Sequence, residues 1–129
     1  MSPELDKKLC EKYPKIFVNR HGDMKETAMC WGIECGDGWY DLIDRLCDNL
    51  QWNTDKNNRN GRYPQVVAVQ VKEKFGDLRF YVERANDAQD AVISFVESLS
   101  HHTCDVCGAK GKTRQVGWIS TRCDEHANT

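Results

Sequence analysis

The sequence predicts an α+β fold, in which an antiparallel β-hairpin or small sheet packs with two or three helices. Three features of the 129 residues lead to this prediction. Stretches 39–50 and 88–99 repeat apolar side chains every three or four residues, as amphipathic helices do. Residues 67–71 and 78–82 alternate apolar and polar side chains, as half-buried strands do. Near the C-terminus, paired cysteine and histidine side chains have the spacing of a metal site, which predicts a small zinc ribbon or knuckle after the α+β body.

Length and composition limit the domain organisation. The chain fits one ordinary domain, so we expect an α+β body over residues 1–103 and a zinc-binding module over 104–129 that packs on it. A net charge of -2 argues against a general nucleic-acid coat protein, which would be strongly basic. The charged N-terminus and the absence of a long apolar run predict no membrane association and a cytoplasmic location. Seven cysteines, an odd number, favour reduced thiols.

Two helices and a connector are predicted in the first half of the chain. Ser2 can cap a first helix that Pro14 ends, and we expect extended structure over 15–18 and, by a modest preference, over 24–35. A tight turn at 35–39 leads into a second helix, with Asp37 or a nearby group available as a cap. The core-facing side chains of this helix are Trp39, Leu42, Ile43, Leu46, Cys47 and Leu50. Residues 51–64, which include Asn60, are predicted to form a long polar loop.

A β-hairpin is predicted to follow that loop. Gly76-Asp77 suits a two-residue type II′ turn, which pairs Lys74 with Arg79 and Lys72 with Tyr81. One face of the hairpin is then apolar and the other is basic with a tyrosine. A third helix begins at Asn86-Asp87. Its predicted core-facing stripe comprises Ala88, Ala91, Val92, Phe95, Val96 and Leu99.

The C-terminal ligand pairs predict one structural zinc ion. Cys104 and Cys107 are separated by two residues, as are Cys123 and His126, so each pair can reach one ion. Four protein ligands leave no coordination position for water, which argues against a catalytic zinc. The arm at 110–122 should form a small β-ribbon, with Trp118 and Ile119 packed on the body. Two alternatives remain: ordinary buried cysteines, and His101 or His102 in place of one ligand.

Further candidate residues lie in the body. Cys30 and Cys35, with His21 and with Cys10 or Cys47, could form a second metal site or hold a thiol nucleophile, but free cysteines are commonly small buried apolar residues. An exposed tryptophan among Trp31 and Trp52 would indicate an interaction surface, whereas Trp39 and Trp118 are expected in the core.

The basic hairpin face is a candidate anion or partner-binding site, made of Lys72, Lys74, Arg79 and Tyr81. Opposed cations repel one another, and an anion, a phosphate or a partner carboxylate would remove that cost. The alternative is a solvated face neutralised by Glu83 or by the acidic side of the second helix. Signatures of phosphate-binding glycine loops, zinc proteases and zinc deaminases are absent.

Segments 29–40 (MCWGIECGDGWY) and 72–81 (KEKFGDLRFY) resemble, together with the zinc pattern and Gly117-Trp118-Ile119, a group of small proteins encoded by bacteriophages and prophages. The resemblance covers most of residues 13–126, without the Asn-rich loop. It implies a phage accessory protein that acts against host defence, either by binding a host protein or by sequestering a nucleotide signal.

These observations favour a non-enzymatic protein that inhibits a host defence factor by direct binding to a host protein. The candidate functional loop contains Cys35, Asp37 and Trp39, and it is expected to share the contact surface with the polar loop and the basic hairpin face. A first alternative is a nucleotide- or nucleic-acid-binding module that uses this basic face. A second alternative is a thiol-dependent or nuclease-like enzyme.

Overall fold

The computed structural model describes residues 1–58, 61 and 63–128 of the chain. It confirms the α+β class, with helices and two small sheets. The α-helices are α1 (Pro3–Lys12), α2 (Tyr40–Asn57) and α3 (Asp87–Ser100). The strands are β1 (Ile33–Glu34), β2 (Val67–Lys74), β3 (Asp77–Glu83), β4 (Lys112–Val116) and β5 (Trp118–Arg122). Short 3-10 helices are formed by Ala28–Trp31, Asp37–Trp39 and Asp124–His126.

The first sheet has the order β1-β2-β3, in which β1 runs parallel to β2 and β3 runs antiparallel to it. Strands β4 and β5 form a separate antiparallel ribbon. The three α-helices and the segment between α1 and β1 contribute to one core with the apolar face of the first sheet. Its largest fully buried apolar side chains are Leu9, Ile16, Met29, Trp39, Ile43, Leu46, Leu50, Leu78, Val66 and Val71. None of the described helices combines the length and apolarity needed to cross a bilayer.

The N-terminal elements follow the sequence in part. Ser2 caps α1 as predicted, because its hydroxyl accepts a hydrogen bond from the Leu5 amide. Residues 15–18 form turns instead of a strand, and within 24–35 only Ile33–Glu34 is extended. Asp37 does not cap α2, since its carboxylate accepts the Ser2 amide at 2.7 Å.

Helix α2 is longer than predicted and continues to Asn57, so the polar loop begins about seven residues later than expected. Side-chain bonds one turn apart support the extra turns: Gln51 donates to Asp55, and Asn57 donates to the Asn53 carbonyl. Thr54 is buried against α3. Asn60, which was assigned to the polar loop, lies outside the described residues.

The β2-β3 hairpin turns one residue earlier than predicted. Its two loop residues are Phe75 and Gly76, with φ of 53° and 85°, which is the pattern of a type I′ turn. Lys74 therefore pairs with Asp77 and Lys72 pairs with Arg79, so the predicted type II′ turn and its register were wrong. Each residue of β2 therefore pairs with a β3 residue two positions earlier than predicted. Because side chains alternate between the two faces of a strand, a shift of two positions leaves the same side chains on the polar face.

Asn86 is the N-cap of helix α3, as predicted, and it forms a capping box with Gln89. Its orientation differs from the prediction. The buried residues are Gln89, Ile93, Val96 and Ser100. Gln89 donates to the Leu50 carbonyl and to Thr54 on α2, and Ser100 accepts the Leu78 amide of β3. These hydrogen bonds hold polar residues inside, so the predicted stripe, except Val96, points outward or is only partly covered.

Candidate metal centre

The four predicted ligands come together at the C-terminal end of the fold. Cys104 follows α3, Cys107 lies in the next turn, Cys123 follows β5 and His126 ends the last 3-10 helix. Their ligating atoms all lie within 4.8 Å of one another. Within residues 1–58, 61 and 63–128 no other group of three or more such ligands forms, so Cys30, Cys35 and His21 do not assemble one. The cluster could therefore hold a metal ion.

The environment of Cys104 favours the form of the thiol that binds metals. Burial raises the pKa of this thiol, but the backbone amides of Cys123, Cys107 and Val106 donate to the sulfur and lower it to about 6. The turn 104–108, called here the knuckle, is closed by the Gly108 amide, which donates to the Cys104 carbonyl at 2.9 Å. A thiolate ligand is thus prepared by backbone hydrogen bonds before any ion binds.

The 36–39 segment is the seat of the knuckle. The Gly38 amide donates to the Asp105 carbonyl at 2.9 Å, and the indole of Trp39 donates to the Thr103 carbonyl at 2.8 Å. A Cβ on Gly36 would lie 1.9 Å from the Asp105 carbonyl oxygen. Gly36 and Gly38 must therefore be glycine, because each lies too close to the backbone of the knuckle for a side chain to fit. The segment that supports the metal ligands is thus 65 or more residues away from them in the sequence.

A second contact ties β5 to the body. Thr121 is buried, and its hydroxyl donates to the Gly76 carbonyl in the β2-β3 turn at 2.7 Å. The Asp105 amide donates to the Thr121 carbonyl at 3.0 Å, and the Asp105 carboxylate pairs with Arg122 at 3.1 Å. The knuckle, β5 and the hairpin turn are thus fixed to one another.

Comparisons of the chain with protein-family models, with curated proteins and with solved structures found no match.

Within the candidate functional loop, only Asp37 lies at the surface. Trp39 is fully buried and Cys35 is buried. Burial raises the pKa of the Cys35 thiol to about 12, so this thiol stays protonated at neutral pH and is a weak nucleophile. The loop therefore serves mainly as packing beneath the knuckle, and Trp39 and Cys35 offer no contact area to a partner.

The basic hairpin face has acidic neighbours. Lys72 lies between Arg79 of β3 and Glu34 of β1, and the Arg79 guanidinium contacts Asp77 at 3.3 Å. Asp77 also contacts His101 at 3.1 Å and lies opposite Lys74. Tyr81 is exposed and lies opposite Gln70. Anion binding here stays a prediction, and Asp77 is an acidic group that contacts one of the cations of this face, Arg79.

The prediction that Trp118 packs in the core was wrong. Its side chain is 69% exposed. Successive side chains of a strand point to opposite faces, and in β5 Ile119 and Thr121 face Gly76, so Trp118 points to the other face. Trp31 and Trp52 are also exposed, whereas Trp39 is buried as predicted. Three of the four tryptophans thus lie at the surface.

Sequence reasoning missed the residues that fasten the metal centre to the body. They are Gly36, Gly38, Asp105, Thr121 and Arg122. One indication was available: a single tight turn needs only one glycine, whereas Asp37 has a glycine on each side. Nothing in the spacing, however, connects these glycines with the knuckle, because the contact joins distant parts of the chain.

Proposed function

We propose that this chain is a zinc-stabilised, non-catalytic binding protein that acts by contact with a partner protein. Four protein ligands would complete the coordination of the ion, and the ion would then hold the C-terminal module on the body. The observation that carries the proposal is a pair of exposed aromatic side chains, Phe75 and Trp118, at the tips of two hairpins that the metal module brings into contact.

Three distances within the cluster are close to those expected around a zinc ion. Bonds of about 2.3 Å to sulfur and about 2.0 Å to nitrogen, at tetrahedral angles, separate two sulfurs by about 3.8 Å and a sulfur and a nitrogen by about 3.5 Å. The Cys107 and Cys123 sulfurs are 3.7 Å apart. The Nδ1 atom of His126 lies 3.8 Å from the Cys104 sulfur and 3.2 Å from the Cys123 sulfur. Three thiolates and one imidazole form a donor set typical of structural zinc.

The two aromatic side chains lie one residue away from the contact between the hairpins. Gly76 packs against Ile119 and Thr121, Phe75 precedes Gly76, and Trp118 precedes Ile119. Phe75 is 68% exposed and has a left-handed φ of 53°. That conformation costs a non-glycine residue about 1–2 kcal/mol. A large apolar side chain that is both strained and exposed supports a role in binding, since neither property stabilises the free protein.

The resemblance to small phage and prophage proteins supports the choice of partner. Accessory proteins of this size that are made in an infected cell meet host proteins in its cytoplasm. We therefore propose a host defence factor as the partner and inhibition by direct contact as the outcome. Aromatic anchors of this kind commonly supply much of the affinity in protein interfaces.

A pull-down from host lysate tests the proposal. Wild-type protein is compared with the double variant Phe75→Asn/Trp118→Ser, and Trp52→Ser serves as control because Trp52 is an exposed aromatic side chain on α2 and belongs to neither hairpin. We expect a host protein that wild type and control capture and that the double variant loses. The purified partner should then bind wild type directly in titration calorimetry. Identical capture by all three proteins would contradict the proposal.

The nucleic-acid alternative gives a different result. A raised ratio of absorbance at 260 to 280 nm, or salt-sensitive binding to labelled oligonucleotides, would support it. That binding should then weaken in Lys72→Ala and Arg79→Ala, which lie opposite each other on the polar face. Our proposal predicts neither the raised absorbance nor oligonucleotide binding.

A further inference from the structure

Helix α3 has a second apolar side that nothing in the described chain covers completely. It is called here the outer stripe. Its members are Ala88, Ala91, Val92, Phe95 and Leu99. Val92 packs partly against the core, whereas Phe95 is 63% exposed and Leu99 is also exposed. The buried side of the same helix is a different set, centred on Ile93 and Val96.

The other two helices do not share this feature. The exposed positions of α2 include Asp41, Arg45, Asp48 and Asn49, and those of α1 are mostly charged. A helix with one apolar side is expected in a small protein, but a helix that is apolar on two sides generally has a neighbour on each. The core occupies the inner side of α3, so the outer stripe lacks its neighbour.

We infer that the outer stripe is the contact of a homodimer, in which α3 packs antiparallel on α3 of a second copy. The order of side chains along the stripe carries the inference. Its N-terminal half is small, with Ala88 and Val92, and its C-terminal half is large, with Phe95 and Leu99. Antiparallel packing sets Ala88 against Leu99 and Val92 against Phe95, so each large side chain meets a small one. Parallel packing would set Phe95 on Phe95 and alanine on alanine, which leaves gaps.

The charges at the helix ends favour the same arrangement. Asp87 lies in the first turn of α3, next to Ala88 of the outer stripe. His102 follows its C-terminus, and Lys112 lies beside His102 in the wall of one surface cavity. An antiparallel pair brings the acidic end of each helix near the basic end of the other and opposes the two helix dipoles favourably. A two-fold axis repeats both contacts, as a symmetric dimer requires.

The size of the stripe sets the expected strength. From residue 88 to residue 99 the helix rises about 17 Å, so the stripe covers less than the roughly 800 Å² per partner of a standard interface. We therefore expect a dimer with a dissociation constant in the micromolar range, which dilute samples would show as monomer. This contact lies on α3 and is separate from Phe75 and Trp118, so its failure would leave the proposed function untouched.

Sedimentation velocity on the zinc-loaded protein, from a few micromolar to about 500 micromolar, tests the inference. We expect the mass to rise from 14.9 kDa toward twice that value. The variant Phe95→Gln/Leu99→Gln should raise the dissociation constant at least about tenfold, because each copy contributes both side chains. Trp52→Gln, a similar loss of exposed apolar area on α2, should leave the constant unchanged. Circular dichroism and zinc content check that each variant is folded.

Wild-type protein that stays at 14.9 kDa throughout would overturn the inference, as would a dimer unaffected by the double variant. The orientation is tested by placing a photo-crosslinking phenylalanine analogue at position 88 and mapping the product of the dimer by mass spectrometry. Crosslinks to residues 95–102 support the antiparallel contact. Crosslinks confined to residues 84–92 would refute it.

Discussion

Replacing Gly38 by alanine should loosen the metal centre, although this residue binds no metal. The added Cβ would lie 2.1 Å from the Cys104 carbonyl oxygen and 2.6 Å from the Gly108 nitrogen, where real Cβ atoms are essentially never closer than 3.0 Å. The atoms that it meets belong to the backbone of the knuckle, which cannot rotate aside as a side chain could. The knuckle must therefore move away from its seat by roughly 1 Å.

The cost follows from the contacts that this movement breaks. A shift of that size lengthens the 2.9 Å bond from the Gly38 amide to the Asp105 carbonyl beyond hydrogen-bond range, and it strains the Trp39 bond to Thr103. Two such bonds and the lost packing correspond to about 2–4 kcal/mol of the free energy of unfolding. Displaced supporting groups commonly lower metal affinity about 10–100-fold, and we expect a loss of that order here.

Urea unfolding and competition with a zinc chelator measure the two effects. Gly117→Ala is the matched control: it removes a glycine from the same module, nothing lies within 4 Å of its added Cβ, and its φ of 82° adds only left-handed strain. The control should lose about 1–2 kcal/mol and keep its metal affinity. If Gly38→Ala were as stable as the control and held zinc as tightly, the seat would not support the metal centre.

Three further variants follow from the same structure. Phe75→Asn should raise the free energy of unfolding by about 1 kcal/mol, because asparagine tolerates the left-handed conformation; a less stable variant in urea unfolding would contradict the strain assigned to this turn. Burial raises the pKa of Asp6, but the Ile33 amide and Arg20 outweigh burial and lower it below its ordinary 3.8. The Asp6 carboxylate thus stabilises the fold fully above that value and loses this contribution as the pH falls through its folded pKa. Asp6→Asn should cost about 2 kcal/mol at pH 7, and wild type should lose that advantage below about pH 4 in paired unfolding curves; an advantage unchanged by pH would refute it. Gln89→Ala should cost about 2–3 kcal/mol, since it removes two buried hydrogen bonds to α2 and leaves a cavity in place of a fully buried side chain; a loss below about 0.5 kcal/mol would show that these bonds are replaceable.

The sequence predicted correctly those features that depend on residues close together in the chain: the metal-ligand pairs, the apolar stripe of α2 and two helix caps. The two-residue gaps of the ligand pairs were enough to find Cys104, Cys107, Cys123 and His126, because the geometry of each pair is set within a few residues. The apolar stripe of α2 from Trp39 to Leu50 and the caps at Ser2 and Asn86 were likewise found. In each case propensity, spacing and burial agree.

Predictions failed where tertiary contacts override a local preference. Phe75 is an uncommon residue for a left-handed turn position, so the sequence favoured a turn one residue later and misplaced the register. Helix α3 is apolar on two sides, and the choice between them depends on the hydrogen bonds that Gln89 and Ser100 make with α2 and β3. Trp118 is exposed because Thr121, on the opposite face of β5, faces the body, where its hydroxyl donates a hydrogen bond to the Gly76 carbonyl in the β2-β3 turn.

The metal content of the purified chain tests the central claim most directly. Protein purified without added metal should contain close to one zinc ion per chain by elemental analysis, and native mass spectrometry should show the same mass increment. Cys107→Ser should abolish the increment and lower the free energy of unfolding by several kcal/mol, although Cys107 is exposed and contributes little to packing. Metal-free protein that is fully stable, with Cys107→Ser as stable as wild type, would contradict the account.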